Sequence, residues 1–331
     1  MKRHVLSTHV LAFGLLCAMV LVPVGKAAHA QGNTPKDFVP PVVIQAAGST
    51  AASIQSSVDA FRAALGNPNN GNNQPPPDRS GHREINWDGG NPNITATTDP
   101  VTPFNTFLNN RGAQFTTPGI GLSQATPSGL AALFNNPTYG TIFSTFSPSR
   151  LFTPVGSNVT EALFFLPGTN GADPATVRGF GAVFTDVDKP DGSGPGKKNG
   201  NRGASTLMEY FDADGKLLFS SFVPASPGDG SLSFFGIVFD DARIARVRIT
   251  TGDVAPGPND DEKRDIVMMD DFIYGEPQPL NYRGPLLSRT ESVWGNTVRV
   301  IVMEWQEAQR SKDNDPGGHV WTVRDAQSHP N

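Results

Sequence analysis

The sequence predicts an all-β protein, an antiparallel β-sandwich preceded by an amphipathic helix. Its 331 residues include 35 Gly and 29 Pro with only 17% charged residues, a composition typical of a loop-rich β protein. Helical spacing of apolar residues is found near the N-terminus, at 50–66. Further along, short β-branched and aromatic segments follow one another between turn signals, as in a sandwich. They cover residues 177–187, 205–211, 216–223, 231–239, 244–250 and 266–274.

The first 30 residues have the pattern of a secretory signal. Lys2 and Arg3 precede an apolar run at 10–24, and Ala28 and Ala30 are small residues at the positions that a signal peptidase reads. We therefore expect a secreted protein, extracellular or periplasmic. Cleavage would remove Cys17, the sequence's one cysteine, and three of the 26 basic residues. The net charge of the remaining chain would be 23 − 31 = −8. That charge disfavours nucleic acid and anionic membrane as partners.

The next segments are predicted to be a mobile leader at 31–49, a helix at 50–66 and a linker at 67–82. Within the helix Ile54, Val58, Phe61 and Leu65 fall at intervals of 4, 3 and 4, so they share one face, and Gly66 is a natural stop. This stripe favours docking onto the β-domain over binding a partner protein.

The β-domain is predicted to span 83–276. Its first strand, 83–88, alternates so that Glu84, Asn86 and Asp88 share one face while Ile85 and Trp87 share the other. Residues 89–154 carry many phenylalanines that need burial, and short strands are expected near 114–117 and 141–146. Another strand follows at 159–166.

Two patterns within 177–274 carry more detail. Asp212 to Gly215 separates two strands with an Asp-Gly turn signal, which predicts a hairpin at 205–223. The segments 180–186 and 235–241 both begin Phe-Gly and continue with a similar apolar run, as two equivalent strands of one sandwich would. Residues 277–331 lose the strand rhythm and are predicted to be a C-terminal appendage.

The chemistry is expected at acidic residues. Asp270 and Asp271 lie inside an apolar strand and, as strand neighbours, should point to opposite faces, so at least one should be buried. A buried carboxylate needs a cation or hydrogen bonds. An arginine such as Arg83 or Arg178 could supply the charge, or Ca²⁺ could, since it prefers oxygen ligands. The candidate calcium ligands are Glu84, Asp88, Asp186, Asp188, Asp270 and Asp271.

Several catalytic and metal motifs are missing. The Asp212–Gly215 turn lacks EF-hand spacing, the glycine-rich stretch at 192–198 lacks the P-loop order, and no Gly-x-Ser-x-Gly elbow is present. After cleavage of the signal, His82 is the one histidine before the predicted C-terminal appendage. It follows a segment rich in Pro, Arg and Gly, so a solvated surface position is predicted for it. A cluster with neither histidine nor cysteine disfavours zinc and copper.

Aromatic residues that could form a carbohydrate platform by stacking on sugar rings form a second candidate site. For Trp87, which shares a strand face with Ile85, packing in the core is the favoured alternative. The candidates are Trp87, Tyr139, Tyr210 and Tyr274.

Six segments together resemble the secreted bacterial jelly-roll proteins of galactose-binding-like type, some of which carry a PEP-CTERM sorting tail. The segments are residues 83–88, 115–119, 177–186, 211–215, 244–250 and 269–275. The resemblance implies a jelly roll whose first and last strands are neighbours, with calcium near Asp270 or Asp271 and with Glu84 or Asp88 beside it. This chain departs from the pattern after 277, where no apolar helix with a terminal arginine cluster follows.

The predicted function is a secreted, non-catalytic module that binds a carbohydrate or a cell-surface or matrix component and contains a structural calcium ion. Two alternatives stay open. One is a polysaccharide hydrolase or lyase that uses Asp and Glu as acid and base. The other is a purely structural surface protein. The sequence leaves the ligand and the oligomeric state undetermined.

Overall fold

The computed structural model describes residues 39–72, 79–89, 99–189, 206–258 and 264–280, with two short segments at 301–302 and 324–325. The predicted signal and nearly all of the predicted appendage lie outside these residues. None of the helices in the described ranges is long and apolar enough to cross a membrane.

The elements are mostly short strands. The helices are α1 Ala51–Leu65, α2 Leu108–Arg111, α3 Pro127–Phe134 and α4 Tyr139–Ile142. The strands are β1 Val42–Gly48, β2 His82–Ile85, β3 Ala113–Thr116, β4 Gly121–Ala125, β5 Leu151–Val155, β6 Val159–Phe164, β7 Ala175–Thr176, β8 Gly179–Thr185, β9 Leu207–Phe211, β10 Leu217–Phe222, β11 Leu232–Val238, β12 Arg246–Thr250, β13 Met268–Gly275, β14 Gln278–Pro279, β15 Ile301–Val302 and β16 Arg324–Asp325.

Two antiparallel sheets form the body of the protein. The seven-stranded sheet has the order β1-β11-β8-β13-β5-β4, with β2 also paired to β13, and the five-stranded sheet has the order β10-β9-β12-β6-β3. Side chains from both sheets, such as Phe115 and Val247 from one and Phe235 and Phe272 from the other, share a single buried core. The sheets therefore pack face to face in a sandwich-like arrangement, and the predicted all-β class is confirmed.

Helix α1 covers the outer face of the larger sheet. Thr50 caps it by accepting a hydrogen bond from the Ser53 N–H, and Gly66 ends it, as predicted. Its buried stripe packs against β8, β11 and β13. Strands β8 and β11 are consequently buried on both faces, which explains why their sequences are almost continuously apolar.

The sequence similarity between segments 180–186 and 235–241 is explained by two glycines that face each other. Strands β8 and β11 are antiparallel neighbours, and Gly181 lies opposite Gly236 in their register. The Phe61 ring of α1 rests over both. A Cβ on Gly181 would lie 2.9 Å from this ring, and one on Gly236 would lie 2.6 Å from it. Two equivalent strands, each with a glycine under the helix, account for the repeat.

Four parts of the sequence interpretation are wrong. Residues 42–48 of the predicted mobile leader form β1, because this segment pairs with β11 along its whole length. No strand forms at 141–146: residues 141–142 end α4, whose Tyr139 is buried beside Phe134 and Phe143, and residues 143–146 are irregular. Part of the predicted linker, at its end, belongs to β2. Strand β5 was not predicted, and it contains Pro154, a residue that is unusual inside a strand.

Candidate functional site

The candidate site lies where the edge of β13 changes partners. On one side β13 pairs with β8, and on the other Met269 pairs with Phe152 of β5 while Phe272 pairs with Ile85 of β2. Residues 270 and 271 fall between these two partners. Between Met269 and Phe272 the register against β8 slips, because three steps along β13 match two steps along β8. This is a β-bulge, which inserts one extra residue and re-aims the neighbouring side chains.

The bulge brings Asp270 and Asp271 together, so the prediction that they point to opposite faces is wrong. Both lie under the same loop, where Asp270 accepts a hydrogen bond from the Phe146 N–H and Asp271 accepts one from the Ser147 hydroxyl, and the two residues are 0% and 3% exposed. Burial raises the pKa of Asp270 well above its usual range, and the adjacent Asp271 carboxylate raises it further. Burial also raises the pKa of Asp271. A carboxyl pair of this kind holds a shared proton more readily than two negative charges.

Asp88 joins the pair through the loop that precedes β5. Its Oδ1 accepts hydrogen bonds from the backbone N–H groups of Ser149 at 2.6 Å and Arg150 at 2.8 Å. The Ser147 hydroxyl lies 3.4 Å from Asp88 Oδ2 and donates to Asp271 Oδ1 at 2.5 Å. Because β2 ends beside the bulge, the residues that follow it carry Asp88 to the same place.

Backbone groups also reach Asp270. The Phe146 N–H donates to its Oδ2 at 2.6 Å, and the Trp87 indole N–H donates to its backbone carbonyl at 3.0 Å. The latter bond satisfies a carbonyl group beside the break between β5 and β2. No N–H or O–H donor reaches Asp270 Oδ1, although this atom is buried. Such an atom is costly unless a proton or a cation satisfies it.

Each of the three carboxylates thus has one oxygen fixed by hydrogen bonds. The second oxygen of each is without a donor or has a distant one: Asp270 Oδ1 has none, Asp88 Oδ2 is 3.4 Å from Ser147 Oγ, and Asp271 Oδ2 is 3.9 Å from the Arg62 guanidinium. These are the oxygen types that calcium prefers. Nevertheless, within the described ranges no group of three or more Asp, Glu, His or Cys side chains is spaced to hold a metal ion.

The positive charge nearest to the pair comes from α1. Arg62 makes a bidentate pair with Glu84, at 3.0 and 2.9 Å, and its Nη2 lies 3.9 Å from Asp271 Oδ2. The sequence had suggested Arg83 or Arg178 for this role, which is wrong. Arg83 is instead fully buried and forks onto Glu276, at 2.8 and 2.9 Å, while the Arg178 Nε donates to the Phe239 carbonyl.

His82 is part of this network and is 3% exposed, so the predicted surface position is wrong. Its ring nitrogens face the Gly66 carbonyl at 2.6 Å and Glu84 Oε1 at 3.0 Å. Both partners are acceptors, which suits a doubly protonated ring. Burial opposes the charge, but these two hydrogen bonds raise the pKa of His82 overall. Burial also opposes the charge of Glu84, yet hydrogen bonds from His82 and Arg62 lower its pKa to about 2.

The six predicted metal ligands do not form one group. Asp88, Asp270 and Asp271 come together, with Glu84 linked to them through Arg62. Asp186 and Asp188 instead follow the end of β8. The Asp186 N–H donates to Ser231, and the Asp188 carboxylate accepts from the Gly228 N–H.

Asp188 belongs to a second acidic group, which also contains Asp253 and Asp265. The Asp188 N–H donates to Asp265, and Asp265 in turn donates its N–H to Asp253. Burial, with some contribution from the negative charges of Asp188 and Asp253, raises the pKa of Asp265 to about 6. Both oxygens of the Asp265 carboxylate accept backbone hydrogen bonds.

The predicted aromatic platform is wrong. Trp87, Tyr139, Tyr210 and Tyr274 are all 0% exposed. Trp87 stacks on Phe152 with ring centroids 3.7 Å apart, and the Tyr210 hydroxyl donates to the Phe180 carbonyl. These rings belong to the core. No aromatic residue is found among the exposed large hydrophobic side chains of the described ranges.

A groove lies at the far end of β13, where α1 stops. Its volume is about 390 Å³, and it is half open to solvent. Its walls come from the end of α1, from the segment before β2, from the loop after β11 and from the end of β13. The lining residues are Leu65, Gly66, Asn67, Arg79, Ser80, Gly81, Arg178, Asp240, Asp241, Ala242, Glu276 and Gln278.

Sequence reasoning missed Arg62, Ser147, Arg79 and Glu276. The sequence did contain a signal for Arg62. It lies four residues after Val58 and three before Leu65, so it flanks the apolar stripe of the predicted helix and lies beside the sheet that the helix covers. Glu276 directly follows the final strand, opposite the first. Ser147 and Arg79 lie in irregular segments, and no periodic pattern marks them.

The chain matches no protein-family model, and no curated protein matches it. Among solved structures, it is similar to the enzymatically active domain of tailspike protein 4 from bacteriophage CBA120, with 15% sequence identity and a TM-score of 0.24. The match covers 57% of this chain and 23% of the tailspike chain. At this TM-score the likeness carries no conclusion about fold or function.

Proposed function

We propose that the protein is an exported, non-catalytic binding module that holds a small ligand in the groove beside Glu276. The observation that carries the proposal is the groove itself. Its volume of about 390 Å³ is within the usual range for ligand sites, and its walls combine the end of α1 and the end of β13 with the segment before β2 and the loop after β11.

The acids of the groove are committed to structural pairs, which favours binding over catalysis. Glu276 is 2% exposed and forms a bidentate pair with Arg83. Asp240 and Asp241 both pair with Arg243. A general acid or base needs a carboxyl group that is free to exchange a proton with the substrate, and these three are held in ion pairs.

Retention on immobilised glycans tests this proposal. We expect the protein to be retained on at least one glycan of a panel while no reducing ends appear over time. A matched variant, Ala242→Trp, fills the groove and should abolish retention while leaving the melting temperature within a few degrees. Retention that survives this substitution would place the ligand elsewhere.

The rival hydrolase reading has one observation in its favour, the Asp270–Asp271 pair with its raised pKa values. Against it, both carboxyl groups are buried under the loop at 146–150, so no substrate reaches them in this conformation. New reducing ends that disappear in Asp271→Asn would favour the enzyme. Binding to no glycan and no product would favour a purely structural protein.

We further propose a structural calcium ion at Asp88, Asp270 and Asp271, with one shared proton as the competing way to satisfy this cluster. The unpartnered Asp270 Oδ1 supports an ion, and the burial of two adjacent carboxyl groups, which raises the pKa of both, supports a proton. If calcium binds, it should raise the melting temperature and EDTA should lower it. If a proton is shared, neither reagent should change it.

The galactose-binding-like jelly-roll relationship also stays a proposal. Its support is that β2 pairs with β13, as this resemblance implies for the strand at 83–88 and the final strand.

A further inference from the structure

The arginines of the groove are not matched by its acids. Glu276 is paired with Arg83, and Asp240 and Asp241 are paired with Arg243, which is not among the groove's lining residues. Within the described part of the chain, Arg79 and Arg178 make no ion pair. The groove is therefore lined by two guanidinium groups that form no ion pair with a carboxylate of the described residues.

Arg79 is the clearer case of a guanidinium group without enough partners. Its Nη1 is buried and has no hydrogen-bond partner. A buried, unsatisfied donor on a charged group is unfavourable, so the protein's own acceptors leave the Arg79 guanidinium incompletely satisfied. The backbone here is fixed, because the Gln278 side-chain amide donates to the Arg79 carbonyl at 2.5 Å.

Arg178 is held in place on the same wall. Its Nε donates to the Phe239 carbonyl at 3.3 Å, and its Cγ packs over Gly275, where a Cβ would come within 2.9 Å. Fixing the stem in this way lowers the conformational entropy that the side chain loses when it binds an anion.

The remaining polar groups restrict the kind of anion. The Asp240 and Asp241 side chains are 55% and 47% exposed, and their negative charges would repel a doubly charged phosphate more strongly than a single carboxylate. Arg243 pairs with Oδ1 of each of these carboxylates, which leaves Oδ2 of each as an acceptor for hydroxyl donors. The apolar lining is confined to Leu65 and Ala242, and no aromatic ring is present.

We propose that the groove binds a sugar acid, with its carboxylate on Arg79 and Arg178 and its hydroxyl groups on Asp240 and Asp241. This inference rests on the proposed function and names the ligand class for the same groove. Guanidinium groups suit it because their planar N–H donors match the two oxygens of a carboxylate.

Calorimetric titration with three named probes tests the proposal. The probes are digalacturonate, its neutral counterpart galactobiose, and inorganic phosphate, each added to the wild-type protein, to Arg79→Gln and to Arg178→Gln. Arg248→Gln is the matched control, since Arg248 lies on the five-stranded sheet and pairs there with Glu161. The melting temperature of each variant is measured alongside.

We expect digalacturonate to bind at least about tenfold more tightly than galactobiose, and either groove variant to remove that difference while Arg248→Gln keeps it. Equal binding of both disaccharides, unchanged in the groove variants, would overturn the sugar-acid assignment and leave the binding-module function standing. Binding of phosphate in preference to digalacturonate would overturn the assignment as well. Binding of none of the three probes would count against both proposals.

Discussion

Asp270 and Asp271 accept hydrogen bonds from two consecutive residues of one loop, the Phe146 N–H and the Ser147 hydroxyl, although they are adjacent in one strand. Regular strand geometry would separate them to opposite faces. The β-bulge at this position removes that restriction, and the break between β5 and β2 leaves room for Asp88 and for the loop at 146–150. The acidic site is thus a product of the local irregularity of the sheet.

Asp270→Asn distinguishes the shared proton from the ion. Asparagine resembles a protonated aspartic acid and retains an acceptor for the Phe146 N–H, so we expect the free energy of unfolding at neutral pH to change by less than ~1 kcal/mol. Asp270→Ala leaves that N–H without an acceptor and should cost about 1–3 kcal/mol. Urea unfolding with and without calcium measures both, and Asp214→Asn in an exposed turn is the control. A large loss in Asp270→Asn, seen in calcium but not in EDTA, would contradict the proton model.

The same pair predicts how stability changes with pH. The pKa of Asp270 is raised on folding from its ordinary value of 3.8, so its contribution is fully present below that pH and is lost as the pH rises through the folded-state value. Wild-type stability should therefore fall as the pH rises from the ordinary value, and Asp270→Asn should flatten this slope. Urea unfolding at a series of pH values upwards from there measures it. A slope that is identical in both proteins would mean that another group titrates.

Glu84 is predicted to determine how stability changes at acid pH. Its pKa is about 2 in the folded protein against 4.5 ordinarily, so its contribution is present above pH 4.5 and is lost as the pH falls towards 2. The shift corresponds to about 3 kcal/mol. Unfolding at pH 6 and pH 3 should show a smaller decrease in Glu84→Gln than in the wild type. An equal decrease in both would exclude the pairing with Arg62 and His82 as the cause.

The buried pair of Arg83 and Glu276 can be tested by a double-mutant cycle. Both side chains are almost completely buried, at 0% and 1% exposed. Arg83→Met or Glu276→Leu alone leaves one charge unpaired and should cost about 3–5 kcal/mol, whereas the double variant should recover much of that loss. Denaturant unfolding measures each corner of the cycle. Additive losses would show that the two charges do not compensate each other.

The contact between α1 and the glycine pair gives a prediction about packing. Gly181→Ala places a methyl group against the Phe61 ring and should cost about 1–3 kcal/mol. In a Phe61→Leu background the same substitution should cost less, because the ring is gone. Thermal unfolding of the four proteins gives the coupling, with Gly257→Ala, which has open space around it, as the control. Equal losses in both backgrounds would contradict the proposed close contact.

The sequence predicted the regular parts of the molecule well, since periodicity reports them directly. Helix α1, the hairpin of β9 and β10 and the strands from β8 to β13 follow from apolar spacing and turn residues. It also named Asp88, Asp270 and Asp271 among six candidate ligands, but it placed Asp270 and Asp271 on opposite faces of a strand. That placement was wrong because a bulge is defined by register against a partner strand, which one sequence does not reveal.

The groove and its arginines were beyond sequence reasoning for a related reason. Arg79 and Glu276 lie almost 200 residues apart in the sequence, with Arg178 between them. Whether each charged group forms an ion pair depends on the partners that the fold brings to it, as with Arg83 at Glu276. The four candidate aromatics were wrong because their rings are buried: Trp87, Tyr210 and Tyr274 pack in the core shared by the two sheets, and Tyr139 of α4 packs in a separate apolar cluster.

Strand β13 lies in the middle of the larger sheet although it comes late in the chain, at residues 268–275. Until it is in place, β8, β5 and β2 each lack a neighbour, and the pairing that joins the two halves of the sheet is missing. A growing polypeptide therefore stays incompletely folded over most of its synthesis. Truncations before this strand should yield aggregation-prone chains and not a smaller stable domain.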